Sequence, residues 1–318
     1  MRLNSPLTAD PSISVPNRDK KLLADRSDLL WGQTVWSALY VVGCAVFFWR
    51  PLRDLVYFAW SSDTDSHVLL IPFISAGLLW TFRKAIFQKT RPSLRGFAAF
   101  FSIGLVVYLP FWRFGGTLAP RYSLELAILS LCCFVFAGFM AMYGKESFRA
   151  GLFPLLLLLL AAPLPGFLLD HLIWWLQLGS AQVTTWIFYL THTPVFRQGL
   201  VFSVPGVTIE IAKECSGIRS TIGLMITCLL AGYLLLRTGL ARLALLLAAL
   251  PVLAVKNGIR IATLTILTIH VDPGFLFGKL HKDGGFVFFA IGLLIMLPVL
   301  LWLHKIEAKH LRSERLAS

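Results

Sequence analysis

The side chains best suited to covalent chemistry are a cysteine, an arginine and a histidine in the last third of the chain. They are Cys215 in Glu214-Cys215-Ser216-Gly217-Ile218-Arg219-Ser220, Arg260 in Asn257-Gly258-Ile259-Arg260, and His281. A thiol must ionise before it attacks a carbonyl, and a neighbouring histidine, a cation or a helix N-terminus favours the thiolate. Cys215 follows an alternating segment and opens a long apolar run, so it stands at an expected helix start. Arginine suits the negative charge that develops on the carbonyl oxygen of a tetrahedral intermediate. Taken singly, a cysteine at a helix start is more often structural, and His281 reads equally well as an interfacial histidine. Arg260 is harder to set aside, because arginine within a span costs about 2.5–3.5 kcal/mol at the bilayer centre on insertion scales. Asn257, three residues earlier, shares its helical face and can hold it by hydrogen bonding. Glu214, Ser216 and Gly217 flank the thiol as supporting or substrate-contacting candidates.

The elements that must position these groups are membrane spans. The chain is 57% hydrophobic and only 14% charged, and its mean hydropathy is +0.74. Its apolar runs are continuous and long enough to cross lipid, which excludes a soluble globular domain and favours helices over barrel strands. The fold class expected is an all-α polytopic membrane protein of about eight transmembrane helices, with one interfacial helix and a small β-hairpin before Cys215. The net charge of +13 is dispersed in short loops between apolar runs, which reads as membrane orientation and not as a nucleic-acid surface. Cys44, Cys132, Cys133 and Cys228 each lie inside an apolar run and read as small buried hydrophobes. With no CxxC pair and no zinc-spaced His/Cys cluster, no disulfide framework, metal or cofactor is expected.

Residues 1–29 read as a basic cytoplasmic arm, residues 30–303 as the membrane domain and residues 304–318 as a basic cytoplasmic tail. The spans expected are Leu30–Trp49, His67–Trp80, Gly96–Trp112, Leu124–Tyr143, Gly151–Pro165, Cys215–Leu236, Leu243–His270 and Gly285–Leu303. The stretch Arg50 to His67 reads as a polar outer connection. Phe167 to Leu190 mixes tryptophans with Asp170, His171, Gln177, Ser180, Gln182 and Thr184, which suits a helix lying in the interface. Between Thr193 and Ala212 the period changes to two, with turn signals at Gly199 and Pro205-Gly206. Lysine and arginine favour the loops assigned inside, which puts both termini in the cytoplasm. Lys213, Arg219, Lys256, Arg260, Lys279 and Lys282 run against that rule, so a local use is expected, with Lys213, Lys256 and Lys282 attracting an acidic motif on a partner. This topology brings Cys215, Arg260 and His281 to one face of the membrane.

The segments Glu214-Cys215-Ser216-Gly217-Ile218-Arg219-Ser220, Asn257-Gly258-Ile259-Arg260, and His281 followed by Gly284, Gly285 and Phe286 resemble the motifs of the exosortase/archaeosortase family. Ser66-His67-Val68-Leu69-Leu70-Ile71-Pro72 with Leu78-Leu79-Trp80 is similar to that family's first signature, and the likeness runs from about Leu30 to Leu303. The resemblance implies a membrane-embedded cysteine transpeptidase of the bacterial cytoplasmic membrane with its site on the outer face. Its partners would be exported proteins carrying a C-terminal sorting signal: a short motif, often Pro-Glu-Pro, then a transmembrane helix, then a basic cluster. Cys215 would be the nucleophile, Arg260 the oxyanion partner and His281 the acid/base, with transfer of the acyl group to a surface or exopolysaccharide-linked acceptor. His67 would be a structural or substrate-contact residue.

Two other classes fit parts of the sequence. In a transporter, Arg260, His281 and Asp272 would line an ion path, but such sites lie near the midplane, whereas these residues fall near one face. A non-enzymatic scaffold for polysaccharide export would tolerate loss of the Cys215 thiol.

Overall fold

The computed structural model describes residues 17–62, 64–212, 217–272 and 285–317. Among them the chain is an assembly of helices with one small sheet, as the all-α membrane reading requires. Among the described residues, five helices are long and apolar enough to cross a membrane, and two bent pairs raise the number to seven. The second expected span, His67–Trp80, is found as a shorter apolar stretch, Ser66–Thr81. It is divided into a 3-10 turn, Ser66–Leu69, and helix α3, Ile71–Thr81. Pro72 sits in the first turn of α3, where its missing N–H costs nothing.

The N-terminal helix α1, Asn17–Phe47, meets α2, Trp49–Ser61, at a 73° bend. The structure thus corrects the reading of Arg50 to His67 as a polar connection. Pro51, Leu55 and Ala59 recur every fourth residue and make one buried face, so the interspersed charges mark the other side of an amphipathic helix. After α4, Arg83–Ile86, helices α5, Leu94–Phe114, and α6, Pro120–Met142, pair closely. Ser93 caps α5 by accepting from the Gly96 amide at 3.2 Å. Where the two helices meet, Gly104 leaves room for Phe134 and Cys133. Cys132 and Cys228 are buried, and Cys44 and Cys133 are half-buried.

Helices α7, Gly144–Ala150, and α8, Leu152–Leu157, lead into a 3-10 turn, Leu158–Ala161. The chain then turns by 90° into α9, Gly166–Leu190. Of the polar residues that suggested an interfacial helix, Asp170, His171 and Gln182 are exposed, and the other three are turned inward. Gln177, Ser180 and Thr184 are buried where α9 packs along α11, Gly239–His270. Gly179 faces Ala254 and Thr184 bonds the Gly258 carbonyl, so the two helices advance in the same sense.

The expected hairpin is a three-stranded antiparallel meander, β1 Phe196–Gln198, β2 Val201–Val204 and β3 Val207–Glu210. Both expected turns are present, with Gly199 at φ 61° and Gly206 at φ 80°, a region glycine enters without steric cost. The additional strand β1 begins just after Pro194, and its Arg197 and Gln198 concealed it in the sequence. Phe202, Val204 and Ile211 seat the sheet on Phe188 of α9 and Ile261 and Ala262 of α11. The 32 residues of α11 span about 48 Å, well beyond the ~30 Å of hydrocarbon. Its C-terminal part carries the sheet. Helix α10, Ile218–Leu235, returns beside α11, and α12, Gly285–Ala317, closes against both.

Candidate active site

Helix α11 and the start of α10 meet at Gly217, Asn257 and Arg260. Gly217, immediately before α10, has φ 63° and ψ 29°, a left-handed turn that glycine tolerates best. It is pressed against α11 so closely that a Cβ there would stand 2.7 Å from Asn257 Oδ1 and 3.4 Å from Arg260 Nη1. Of the residues expected to act together, Gly217, Asn257 and Arg260 are therefore brought into one cluster. Asn257 is fully buried, and its Nδ2 donates to Ser180 Oγ of α9 at 3.0 Å. Arg260, one turn further along α11, is half-buried. Glu214, Cys215, Ser216 and His281 lie outside the described residues.

The chain on the other side of the 213–216 segment is anchored on the same helices. Ile211 is buried, and its carbonyl accepts from Gln177 Nε2 of α9 at 2.6 Å. Its amide donates to the Leu200 carbonyl at 3.0 Å, extending the β-sheet ladder. Ile211 is thus bonded to α9 through Gln177, and Gly217 is packed against Asn257 of α11. Sequence reasoning passed over Gln177, Ser180 and Thr184 as interfacial polarity. Their spacing of three and four residues, a single helical face, was the signal that they act together.

Lys256 is corrected most sharply. It was grouped with surface cations that attract an acidic partner, yet it is fully buried. Its Nζ donates to Ser220 Oγ at 2.6 Å and reaches Thr221 Oγ1 at 3.5 Å, both in the first turn of α10. A charge with no access to solvent cannot steer a partner, so that role does not hold for this residue. Lys213 and Lys282 lie outside the described residues, and Arg219 is exposed.

His67 is on a different segment of the chain from the Gly217 cluster. It lies half-buried on the 3-10 turn Ser66–Leu69, and its Nδ1 is 3.2 Å from the Thr64 carbonyl. That turn packs against α10 and α2. Beside it, the buried Asp65 takes a two-pronged pair from Arg121, with Nη1 to Oδ1 at 3.0 Å and Nη2 to Oδ2 at 2.6 Å. Ser62 Oγ donates to the same carboxylate at 2.7 Å, and Thr64 Oγ1 also donates to it. Arg121 Nη1 further reaches the Leu164 carbonyl at 3.1 Å, which ties the start of α6, the His67 turn and the approach to α9 together. Burial alone would push the Asp65 carboxyl up, but hydrogen bonds from Arg121, Thr64 and Ser62 and the arginine charge outweigh it, leaving it below the ordinary value.

Residues 59–298 match the family model described as transmembrane exosortase. The chain belongs to the transmembrane exosortase family. The matched range begins near the end of α2 and ends within α12, so it contains the whole cluster just described. Exosortases are cysteine transpeptidases of membranes with a role in protein sorting, and this exosortase is a multi-pass membrane protein with that general role. The comparisons with curated proteins and with solved structures each gave no match.

Proposed function

We propose that this exosortase cleaves C-terminal sorting signals of exported proteins through an acyl-enzyme on Cys215 and transfers the acyl group to an acceptor. The observation that carries the reading is the packing of the Gly217 turn on Asn257 and Arg260. Gly217 is two residues from Cys215 in the sequence. The start of α10 adds the partial positive charge of a helix N-terminus, which favours a thiolate.

In this mechanism the Cys215 thiolate adds to the scissile carbonyl carbon, and Arg260 carries the negative charge on the oxygen. Collapse breaks the C–N bond, the leaving amine takes a proton from His281, and a thioester remains. A nucleophilic amine or hydroxyl of the acceptor then attacks the thioester, gives its proton to His281 and releases the thiolate. Glu214 and Ser216 flank the nucleophile, and Asn257 orients Arg260. The substrate class is a motif followed by a transmembrane helix and a basic cluster, a signal that reaches the enzyme within the bilayer.

The test follows the size of such a signal-bearing protein in cells. C215A should leave it full-length at normal enzyme abundance, and R260A should lower processing by about a hundredfold to a thousandfold. Continued processing by C215A overturns the nucleophile. The reading also places the membrane domain in a bacterial cytoplasmic membrane with both termini inside. A reporter fused after Pro205 should then report an external position and one after Arg242 an internal one; the reverse would overturn the orientation.

A further inference from the structure

Lys256 is a fully buried amine whose contacts reach all three helices leading to the reactive residues. Helix α10 begins three residues after Cys215, α11 carries Lys256 one turn before Arg260, and α12 begins four residues after His281. On α10, Ser220 accepts from the lysine Nζ at 2.6 Å. Ser220 Oγ in turn donates to the Gly217 carbonyl at 2.9 Å. That carbonyl also receives the Thr221 amide at 3.0 Å, the first bond of the helix. On α12, Gly292 lies against the lysine stem, where a Cβ would be 3.4 Å from Lys256 Cδ and 2.9 Å from Leu224 Cδ2.

Proton directions are decided by the acceptors. The Gly217 carbonyl can only accept, so the Ser220 hydroxyl proton points to it and the serine oxygen is left to accept from the lysine. The serine is therefore not poised as a nucleophile with lysine as its base. The chain of donors runs from Lys256 through Ser220 to the carbonyl of the left-handed turn. A buried amine is costly to keep unless it is fully bonded, and a methionine of similar length would fill the same space without that cost.

We propose that Lys256 is a positioning residue of the Cys215 centre: acting through Ser220, it holds the Gly217 turn against Asn257 and Arg260 while its stem keeps α12 in register. The proposal rests on the reading of Cys215 as the nucleophile. It predicts that the lysine matters for reactivity at Cys215 more than for the fold.

The experiment uses the full chain in membranes with three variants, K256M, S220A and their combination. Two rates are read: processing of a signal-bearing substrate, and alkylation of Cys215 by iodoacetamide resolved at the peptide level by mass spectrometry. K256M and S220A should each lower both rates about tenfold or more, since misplacement of about 1 Å costs up to ~10²-fold. The combination should lose no more than the worse single variant, because the two residues act in one chain. Melting temperature in detergent should be unchanged for K256M, which separates positioning from folding. Wild-type rates in S220A overturn the relay, and multiplicative losses in the combination do the same. Should K256M not accumulate, S220A alone decides, because it leaves the lysine in place. C215A run alongside distinguishes the two failures: processing that survives C215A sinks the nucleophile itself, whereas a dead C215A with unaffected K256M and S220A sinks only the role of Lys256.

Discussion

The α5–α6 layer and the junction of α9, α10 and α11 are both built from buried helix faces, yet they are filled with opposite chemistry. Between α5, α6 and α7 the contacts are aromatic. Phe100 meets Phe136 at 5.7 Å and Phe148 at 5.1 Å, and Phe101 meets Phe134 at 5.1 Å. The polar groups buried there, Ser130 and Ser147, donate to the backbone carbonyls of Gly104 and Lys89. At the other junction Gln177, Ser180, Thr184, Thr221, Lys256 and Asn257 are all buried, and several depend on one another's side chains. Helix packing in lipid needs no such groups, since close van der Waals contact suffices. Polar networks of this kind define one geometry when complete and are costly when broken. On the proposed function, the aromatic layer is a scaffold and the polar junction holds geometry for use.

The change expected to bear hardest on this contrast is G217A. A methyl group at φ 63° must displace Asn257 Oδ1, 2.7 Å from the ideal Cβ position, and adds roughly 1–2 kcal/mol of backbone strain. Processing should fall about a hundredfold while the protein still reaches the membrane, as measured by substrate size and by abundance. Processing at the wild-type rate would show that the turn is not held for function.

F136A probes the opposite side. Phe136 is buried between Phe100 and Phe148, and truncation should cost about 3–5 kcal/mol of stability, read as a lower melting temperature in detergent. Turnover per folded molecule should be unchanged; a matching fall in turnover would erase the distinction between scaffold and site.

The smallest effect expected is that of acid. The Asp65 carboxyl is held below its ordinary value by Arg121, Thr64 and Ser62. Its contribution to stability is therefore present above the unfolded value, about 3.9, and is lost as pH falls through the lower folded value. D65N should remove that part of the acid sensitivity, measured by melting between neutral pH and pH 3. An identical acid profile in D65N would mean that the pair does not clamp the His67 turn.

Much of this arrangement was legible in the residues themselves. Continuous apolar runs gave the helices, because only internally bonded backbone survives in hydrocarbon. Gly199 and Pro205-Gly206 gave both sheet turns, because glycine alone enters positive φ freely. The Asn257–Arg260 spacing put both on one helical face, and the motifs around Cys215, Arg260 and His281 gave the family. Other features were misread where one residue type serves two environments. The charges of Arg50, Arg53 and Asp54 concealed the amphipathic helix α2, and the burial of Gln177, Ser180 and Thr184 against α11 was not foreseen.

What the sequence determined alone is local: period, turn chemistry, and the insolubility of long apolar segments. The tertiary structure decided which polar residues are inside. Lys256 and Lys213 are both lysines a few residues from a reactive group, and nothing in their own neighbourhoods announces that Lys256 is sealed among α10, α11 and α12. Burial is a property of what packs on a residue from elsewhere in the chain. For Lys256 that is Gly292, thirty-six residues on, and Ser220, thirty-six residues back, so its role could be seen only once the helices were assembled.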